Sequence, residues 1–468
     1  MKLLDVCAFG LTGSMIPYSF FLFHESGLTS LTNVHLSFAL SSSPLAPCAK
    51  MPYAKTNHAK EDARMLHLFP FLDAALTPYH AAQAAHKALL EEGFVALSPN
   101  SDWALQPTGH YLVDFCDGSI FAFVMPEHMP TGVHIVGAHT DSPALRIKPN
   151  PIITCEGLAL LNIEVYGGPI LSTWFDRTLA IAGLVYTKGT DWAHPVRHVV
   201  TLKETVTIPS LAIHMKRDAG DVNPQKELLA LWGKDNDRRF IDAVADACDC
   251  APEDVLAHEL YLVNAERAAL VGNGTLYQAG RIDNLANTHA ALNALITCTP
   301  KDHIALFTGY QHEEIGSRSH GGAQSPRLNM LLSRLGVDAW AADNLILSCD
   351  QAHAAHPNYL EKADPVLRPH LGQGPVLKLA ANHSYATTPY GEAMIRALAA
   401  AHAIPLQTFC NRADQRGGST IGPIAEAISG IEAIDIGAPM LAMHAIRELA
   451  DLSDQKHMEA LMLHFFNS

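Results

Sequence analysis

Apolar residues along the chain fall into short unbroken runs that alternate with helical stripes. The run at 132–138, G-V-H-I-V-G-A, is mostly apolar and bounded by Gly, the pattern of a strand buried on both faces of a sheet. His139 stands at its carboxyl end. The layout recurs: 304–308 leads into His312, Glu313 and Glu314, 345–348 leads into Asp350, and 434–436 leads through a loop to His444. Helical patterns lie between these runs. Thr77 as N-cap and Pro78 at the first helical position open a helix with Ala82, Ala85 and Leu89 on one face, and Gly93 ends it. A second helical stretch covers 390–402. Alternation of this kind predicts an α/β protein with a three-layer sandwich. Open α/β sheets collect ligand sites at the carboxyl ends of their strands, so the four polar segments are expected to meet in one crevice.

Between 144 and 270 the character changes. Runs rich in Ile, Val and Thr, such as 198–209, dominate there, and helical patterning returns only from Gln225 onward. This predicts an inserted, strand-rich domain at 144–270 within a first domain made of 56–143 and 271–468. The first 55 residues read as a leader. Residues 6–23 carry no charge, but Gly10, Gly13 and Pro17 interrupt them and only Lys2 precedes them, which makes a poor membrane anchor. Small residues at 41–49 are compatible with a secretory cleavage site, and Met51 and Met65 are alternative starts; a non-essential leader is the preferred reading.

Composition narrows the partners. The 468 residues are 48% hydrophobic and 17% charged, enough for one large core or two moderate ones. Lys and Arg total 32 against 47 Asp and Glu, a net charge of -15, which argues against nucleic acid or an anionic membrane as main partner. An acidic substrate would need a local positive pocket. The nine Cys are an odd count and stand singly except Cys248 and Cys250, which points to a reducing, cytoplasmic compartment rather than a disulfide framework. With 26 His, a single His carries little weight and only constellations count.

The constellation begins at His139-Thr140-Asp141. A metal-binding imidazole needs a partner to fix its orientation, and Asp141 can supply it. Asp283 follows in R-I-D-N-L before an Ala-rich run; alone it would read as a helix cap. In H-E-E-I-G at 312–316, adjacent carboxylates point in different directions, so one can bind metal while the other faces substrate. Asp350 and His444 complete a set of five. Two zinc ions are balanced by the carboxylates of Asp283, Glu314 and Asp350 plus one hydroxide. Such paired metals, about 3.5–4 Å apart, activate water and stabilise an oxyanion, leaving Glu313 as general base.

The runs G-A-H-T-D-S-P at 137–143, S-T-W-F-D-R at 172–177, R-I-D-N-L at 281–285, H-E-E-I-G-S at 312–317, A-H-A-A-H-P-N-Y at 352–359 and L-A-M-H-A-I-R-E at 441–448 resemble those of aspartyl aminopeptidases, over roughly Thr77 to the C-terminus. The resemblance implies two zinc ions per subunit, one held by His139 and Asp350, the other by Glu314 and His444, with Asp283 bridging. It implies Glu313 as catalytic base and Asp141 as orienting carboxylate. It implies Lys378 as the group holding an acidic N-terminal side chain, with His353, His356 and Tyr385 around the pocket. His214 resembles a residue that the inserted domain, acting in dimerisation, lends to a neighbouring subunit. A homo-oligomer, commonly a dodecamer, is implied too. His312 departs from the family, which commonly has an acidic or amide residue before the Glu pair. The alternatives are a dinuclear aminopeptidase preferring neutral residues, a carboxypeptidase or deacylase on the same scaffold, and a non-catalytic assembly protein.

Overall fold

The computed structural model describes residues 67–217, 221–415 and 417–468; the expected leader at 1–55, Met51 and Met65 lie outside the described residues. A nine-stranded sheet forms the centre. Four of its strands run parallel as neighbours, in the spatial order His303–Tyr310, Gly132–His139, Leu345–Cys349 and Ala433–Gly437. The last three are buried along their whole length, which is why they read as unbroken apolar runs rather than alternating ones.

Successive side chains leave opposite faces of a strand, and each face has its own core. Val136, Ala138, Ala305 and Phe307 pack with residues of the helices Pro78–Glu91, Ile282–Thr297 and Leu452–Asn467. Val133, Ile135, Ile304 and Leu306 pack on the other side, with the helices Arg327–Leu335 and Ile421–Ser429. Two helical layers therefore sandwich the sheet. The expected helix at 390–402 is Pro389–Ala401. Gly93, at φ 86°, lies just beyond the end of Pro78–Glu91. Thr77 precedes that helix, but its hydroxyl bonds Nδ1 of His80 at 2.8 Å rather than a backbone amide.

The strand-rich part is a six-stranded sheet whose strands run from Ala144–Cys155 to Val255–Asn264, all paired antiparallel. It encloses a separate core around Leu145, Leu161, Ile181, Val185 and Leu260. A third sheet of five short strands includes Leu276–Ala279, Glu448–Asp451, Pro439–Leu441 and Ala352–His353.

A helix at Leu68–Ala74, which the sequence pattern did not mark, precedes the one at Pro78–Glu91, burying Leu68, Phe71 and Leu72 in the main core, and one local expectation is corrected. The helical patterning after Gln225 resolves into one turn at Pro224–Glu227, a strand at Ala230–Lys234 and a helix at Phe240–Ala247. Pairing of Ala230–Lys234 with Leu158–Tyr166 overrides the local pattern there.

Candidate metal centre

The parallel strands deliver their polar ends to one place. His139 is the last residue of its strand, Asp350 follows Leu345–Cys349 directly, and the Glu pair sits on a single 3₁₀ turn, Glu313–Ile315, just past His303–Tyr310. Left-handed backbone at His312 (φ 65°) and Gly316 (φ 94°) brackets that turn. Asp283 enters from the start of Ile282–Thr297, after a left-handed Arg281 at φ 63°. His444 comes from the loop between Pro439–Leu441 and Glu448–Asp451 and is itself left-handed, φ 69°.

Asp283 lies between the two imidazoles. Its Oδ1 is 3.5 Å from Nε2 of His139, and its Oδ2 is 3.4 Å from Nε2 of His444. Nε2 of His139 is also 3.5 Å from Oδ1 of Asp350, and Nε2 of His444 is 3.5 Å from Oε2 of Glu314. These gaps exceed the usual hydrogen-bond range of about 2.7–3.2 Å. They match two ligands of one tetrahedral zinc, which at ligand distances of about 2.0–2.1 Å stand about 3.4 Å apart. Ligand atoms of His139, Asp283 and Glu314 all lie within 4.8 Å of one another. Oδ1 of Asp283 and Oε1 of Glu314 are buried without a hydrogen-bond partner, as oxygens facing a cation would be.

The electrostatics favour positive charge here. Burial opposes charging His444, but Asp283 and Glu314 outweigh it and push the imidazole up to about 10. Burial likewise opposes charging His139, and Asp141, Asp283 and Asp350 outweigh it, holding the imidazole well above the usual range. Burial pushes Glu313 up to about 8 against the opposing charge of His139, with Asp350 and Asp141 adding to the rise. Burial, then the charge of Asp283, raises Glu314 well above the usual carboxylate range.

Each imidazole is oriented through its other nitrogen. Nδ1 of His444 is 3.0 Å from the carbonyl of Gly168. Nδ1 of His139 is 3.0 Å from the backbone carbonyl of Asp141, whereas the Asp141 carboxylate is 3.6 Å away. That carboxylate accepts from the backbone N–H of Glu313 at 3.1 Å and of Glu314 at 3.2 Å, and from the hydroxyl of Tyr166 at 2.7 Å. It therefore holds the turn that carries the Glu pair more closely than it holds the imidazole.

A cavity of 450 Å³ opens beside the cluster, lined by Glu313, Asp350, His353, Lys378, Tyr385 and His444 among others. Lys378 is 3% exposed; its Nζ is 3.4 Å from Oδ2 of Asp350 and 5.5 Å from the ring centroid of Tyr385. Burial disfavours its charge, but Asp350 and then Tyr385 and Asp435 outweigh that and raise its pKa. His356 does not line this cavity; its Nδ1 accepts from the amide of Asn358 at 3.2 Å and its ring packs on Tyr359. His214 is exposed on the loop that follows Val196–Val206 and does not line the cavity either. Sequence reasoning did not single out Tyr166, Gly168 or Glu448. Glu448 stands inside the run L-A-M-H-A-I-R-E at 441–448, and nothing in its local pattern sets it apart from a solvated carboxylate.

The chain is similar to known proteins over most of its length. The family model described as aminopeptidase I zinc metalloprotease (M18) matches residues 71–466. The probable M18 family aminopeptidase 2 of Clostridium acetobutylicum is 36% identical over 422 residues, covering 86% of this chain and 98% of that protein. The protein of the same name from Pseudomonas fluorescens is 38% identical over 419 residues, covering 86% and 97%. Among solved structures, a chain of the Ape4 and Nbr1 complex superimposes with a TM-score of 0.83 at 31% identity, covering 89% of this chain and 87% of that one. The S. cerevisiae mApe1 dodecamer superimposes with a TM-score of 0.74 at 25% identity, covering 88% and 96%.

Proposed function

The chain belongs to the M18 family of zinc metallo-aminopeptidases, and from that premise we propose that it removes N-terminal Asp or Glu from peptides at a two-zinc centre. The observation that carries the two-ion reading is Asp283, whose two oxygens face different imidazoles at 3.5 and 3.4 Å. One ion would be held by His139 and Asp350 and the other by Glu314 and His444, with the carboxylate of Asp283 available to both.

Bound zinc would lower the pKa of a water and polarise the scissile carbonyl. Glu313 takes the proton of the attacking water and returns it to the leaving amine. Asp141 keeps Glu313 aimed by accepting from its backbone N–H. Lys378 meets the acidic side chain of the substrate, with Tyr385 and His353 along the same cavity. His356 has no part in this assignment, because it lies off the lining.

His214 serves the site of a second copy. It stands among Leu211, Ile213 and Met215, which are 56%, 65% and 75% exposed, an apolar stretch suited to cover by another chain. The protein acts as a homo-oligomer, a dodecamer by analogy with the mApe1 assembly. The seven cysteines among the described residues are all free, which suits the cytoplasm.

The test is a panel of peptides beginning with Asp, Glu, Ala or Leu, with N-acetylated counterparts, run on metal-free and zinc-reloaded protein with zinc per chain measured. Two zinc per chain and preferential cleavage after free N-terminal Asp or Glu are expected. Faster cleavage after Ala or Leu would establish the neutral-residue alternative, and cleavage of N-acetylated substrates a deacylase-type activity. No hydrolysis at full zinc loading would leave an assembly protein.

A further inference from the structure

Glu448 is the first residue of the strand Glu448–Asp451 and pairs across the small sheet with Ala279 of Leu276–Ala279. The pairing brings together two loops far apart in sequence, one leading to Asp283 and the other coming from His444. The Glu448 side chain lies between them and is 1% exposed. Its Oε1 accepts from the backbone N–H of His444 at 2.8 Å, and its Oε2 accepts from the backbone N–H of Asp283 at 3.1 Å. One carboxylate thus clasps the main chain of both residues whose side chains approach at 3.4 Å.

The chemistry of the clasp is specific. Each oxygen must accept, so a neutral amide of the same shape fails, because its NH₂ group would face a backbone N–H. Arg281, a half-buried cation nearby, does not compete for these oxygens: its guanidinium donates to the carbonyls of Leu72 and Ala75. His444 also needs restraint, since left-handed backbone is unfavourable for a residue with a β-carbon.

We propose that Glu448 is a positioning residue that sets the spacing of Asp283 and His444 through their backbone amides, and so fixes the geometry that both offer to metal. This rests on the metal-centre reading given above. Outer partners of this kind typically govern metal affinity by about 10- to 100-fold.

Metal-free Glu448→Gln, Glu448→Asp and wild-type protein would be titrated with zinc against a competing chelator, with thermal unfolding of each metal-free form measured alongside. Asp454→Asn is the control for purely structural damage: Asp454 is likewise buried and accepts from two backbone amides, those of Gly372 and Gly374, away from the cluster. Glu448→Gln should lose about 10- to 100-fold in zinc affinity, with kcat falling more than KM rises. Glu448→Asp keeps both acceptors on a shorter arm and should lose less. Asp454→Asn should unfold at lower temperature yet bind zinc as the wild type does. Wild-type zinc affinity in either folded Glu448 variant, or an equal loss in Asp454→Asn, overturns the positioning role. Should Glu448→Gln not fold, Glu448→Asp alone decides, through its zinc affinity relative to its thermal shift. A wild type that binds no zinc would instead sink the metal-centre reading itself.

Discussion

Replacing Lys378 by Met keeps a long unbranched side chain in the wall of the cavity and removes only the charge and its donors. Two effects follow from its position. A substrate carboxylate loses a charge-assisted partner, worth about 1.5–3 kcal/mol, or about 10- to 150-fold in kcat/KM. Asp350, whose Oδ2 is 3.4 Å from Nζ, loses its countercharge, and this second effect acts on every substrate alike. The two separate in a ratio. Steady-state kinetics on peptides differing only in the N-terminal residue should show kcat/KM for Asp relative to Leu falling by about 10- to 150-fold, on top of whatever common loss appears. Zinc affinity should hold or rise, because the positive charge 3.4 Å from Oδ2 of Asp350 no longer repels a cation there. Equal fractional losses for Asp, Glu, Ala and Leu would refute the assignment and make Lys378 a support for Asp350 alone.

Glu313→Gln should lower kcat by about 10²- to 10⁴-fold while zinc stays bound; loss of zinc by elemental analysis would make Glu313 a ligand instead. Mixing inactive Glu313→Gln chains with inactive His214→Ala chains should restore activity, because some sites then pair an intact base with an intact His from a neighbour. Mixed oligomers, verified by mass, that stay as inactive as their parents would confine His214 to its own chain. Burial, then the neighbouring His303, pushes His134 down to about 4. The folded state therefore prefers the neutral ring, and the stability this confers is complete above about pH 6.5 and is lost as pH falls toward 4, at up to about 1.4 kcal/mol per pH unit. Urea unfolding at pH 7.5 and 5 should show a smaller pH effect in His134→Gln than in the wild type, and the same effect in both would refute the assignment.

Much of the site was legible because buried parallel strands write themselves as short apolar runs. The residue that ends such a run has its chemistry displayed: His139 and Asp350 follow one directly, and the Glu pair stands on the turn just past another. Asp283 was legible only within its motif, since Ile282–Thr297 is buried on every side from Ile282 to Leu295 and carries no apolar stripe to mark where it starts. Glu448 escaped notice because its partners are backbone amides brought close by the pairing of Glu448 with Ala279, and no local pattern encodes such a pairing. In A-H-A-A-H-P-N-Y, His353 and His356 are equivalent by composition. A short strand pairing with Pro439–Leu441 carries His353 to the cavity, and the turn that follows takes His356 away from it.

The strand-rich sheet reaches into the centre as well. Leaving Leu158–Tyr166, the chain places the Tyr166 hydroxyl on Asp141, then lays Gly167 and Gly168 against the ligand candidates. A β-carbon on Gly167 would stand 3.2 Å from that of Glu314, and the residue sits at φ 71°, so a side chain there meets both a steric and a backbone obstacle. Gly168 offers its carbonyl to His444, the amide of Ile170 donates to the His444 carbonyl at 2.9 Å, and the Thr173 hydroxyl accepts from the amide of Ile446 at 3.0 Å. The loop carrying His444 is thus tied on one side by Glu448 and on the other by this segment. Asp141 is tied in the same way, to the Glu pair through two amides and to the second sheet through Tyr166. A shift of the six-stranded sheet against the nine-stranded one would therefore have to break hydrogen bonds to Asp141 and His444 together, which makes the mutual placement of the two sheets a condition for the geometry around Asp283 rather than a matter of packing alone.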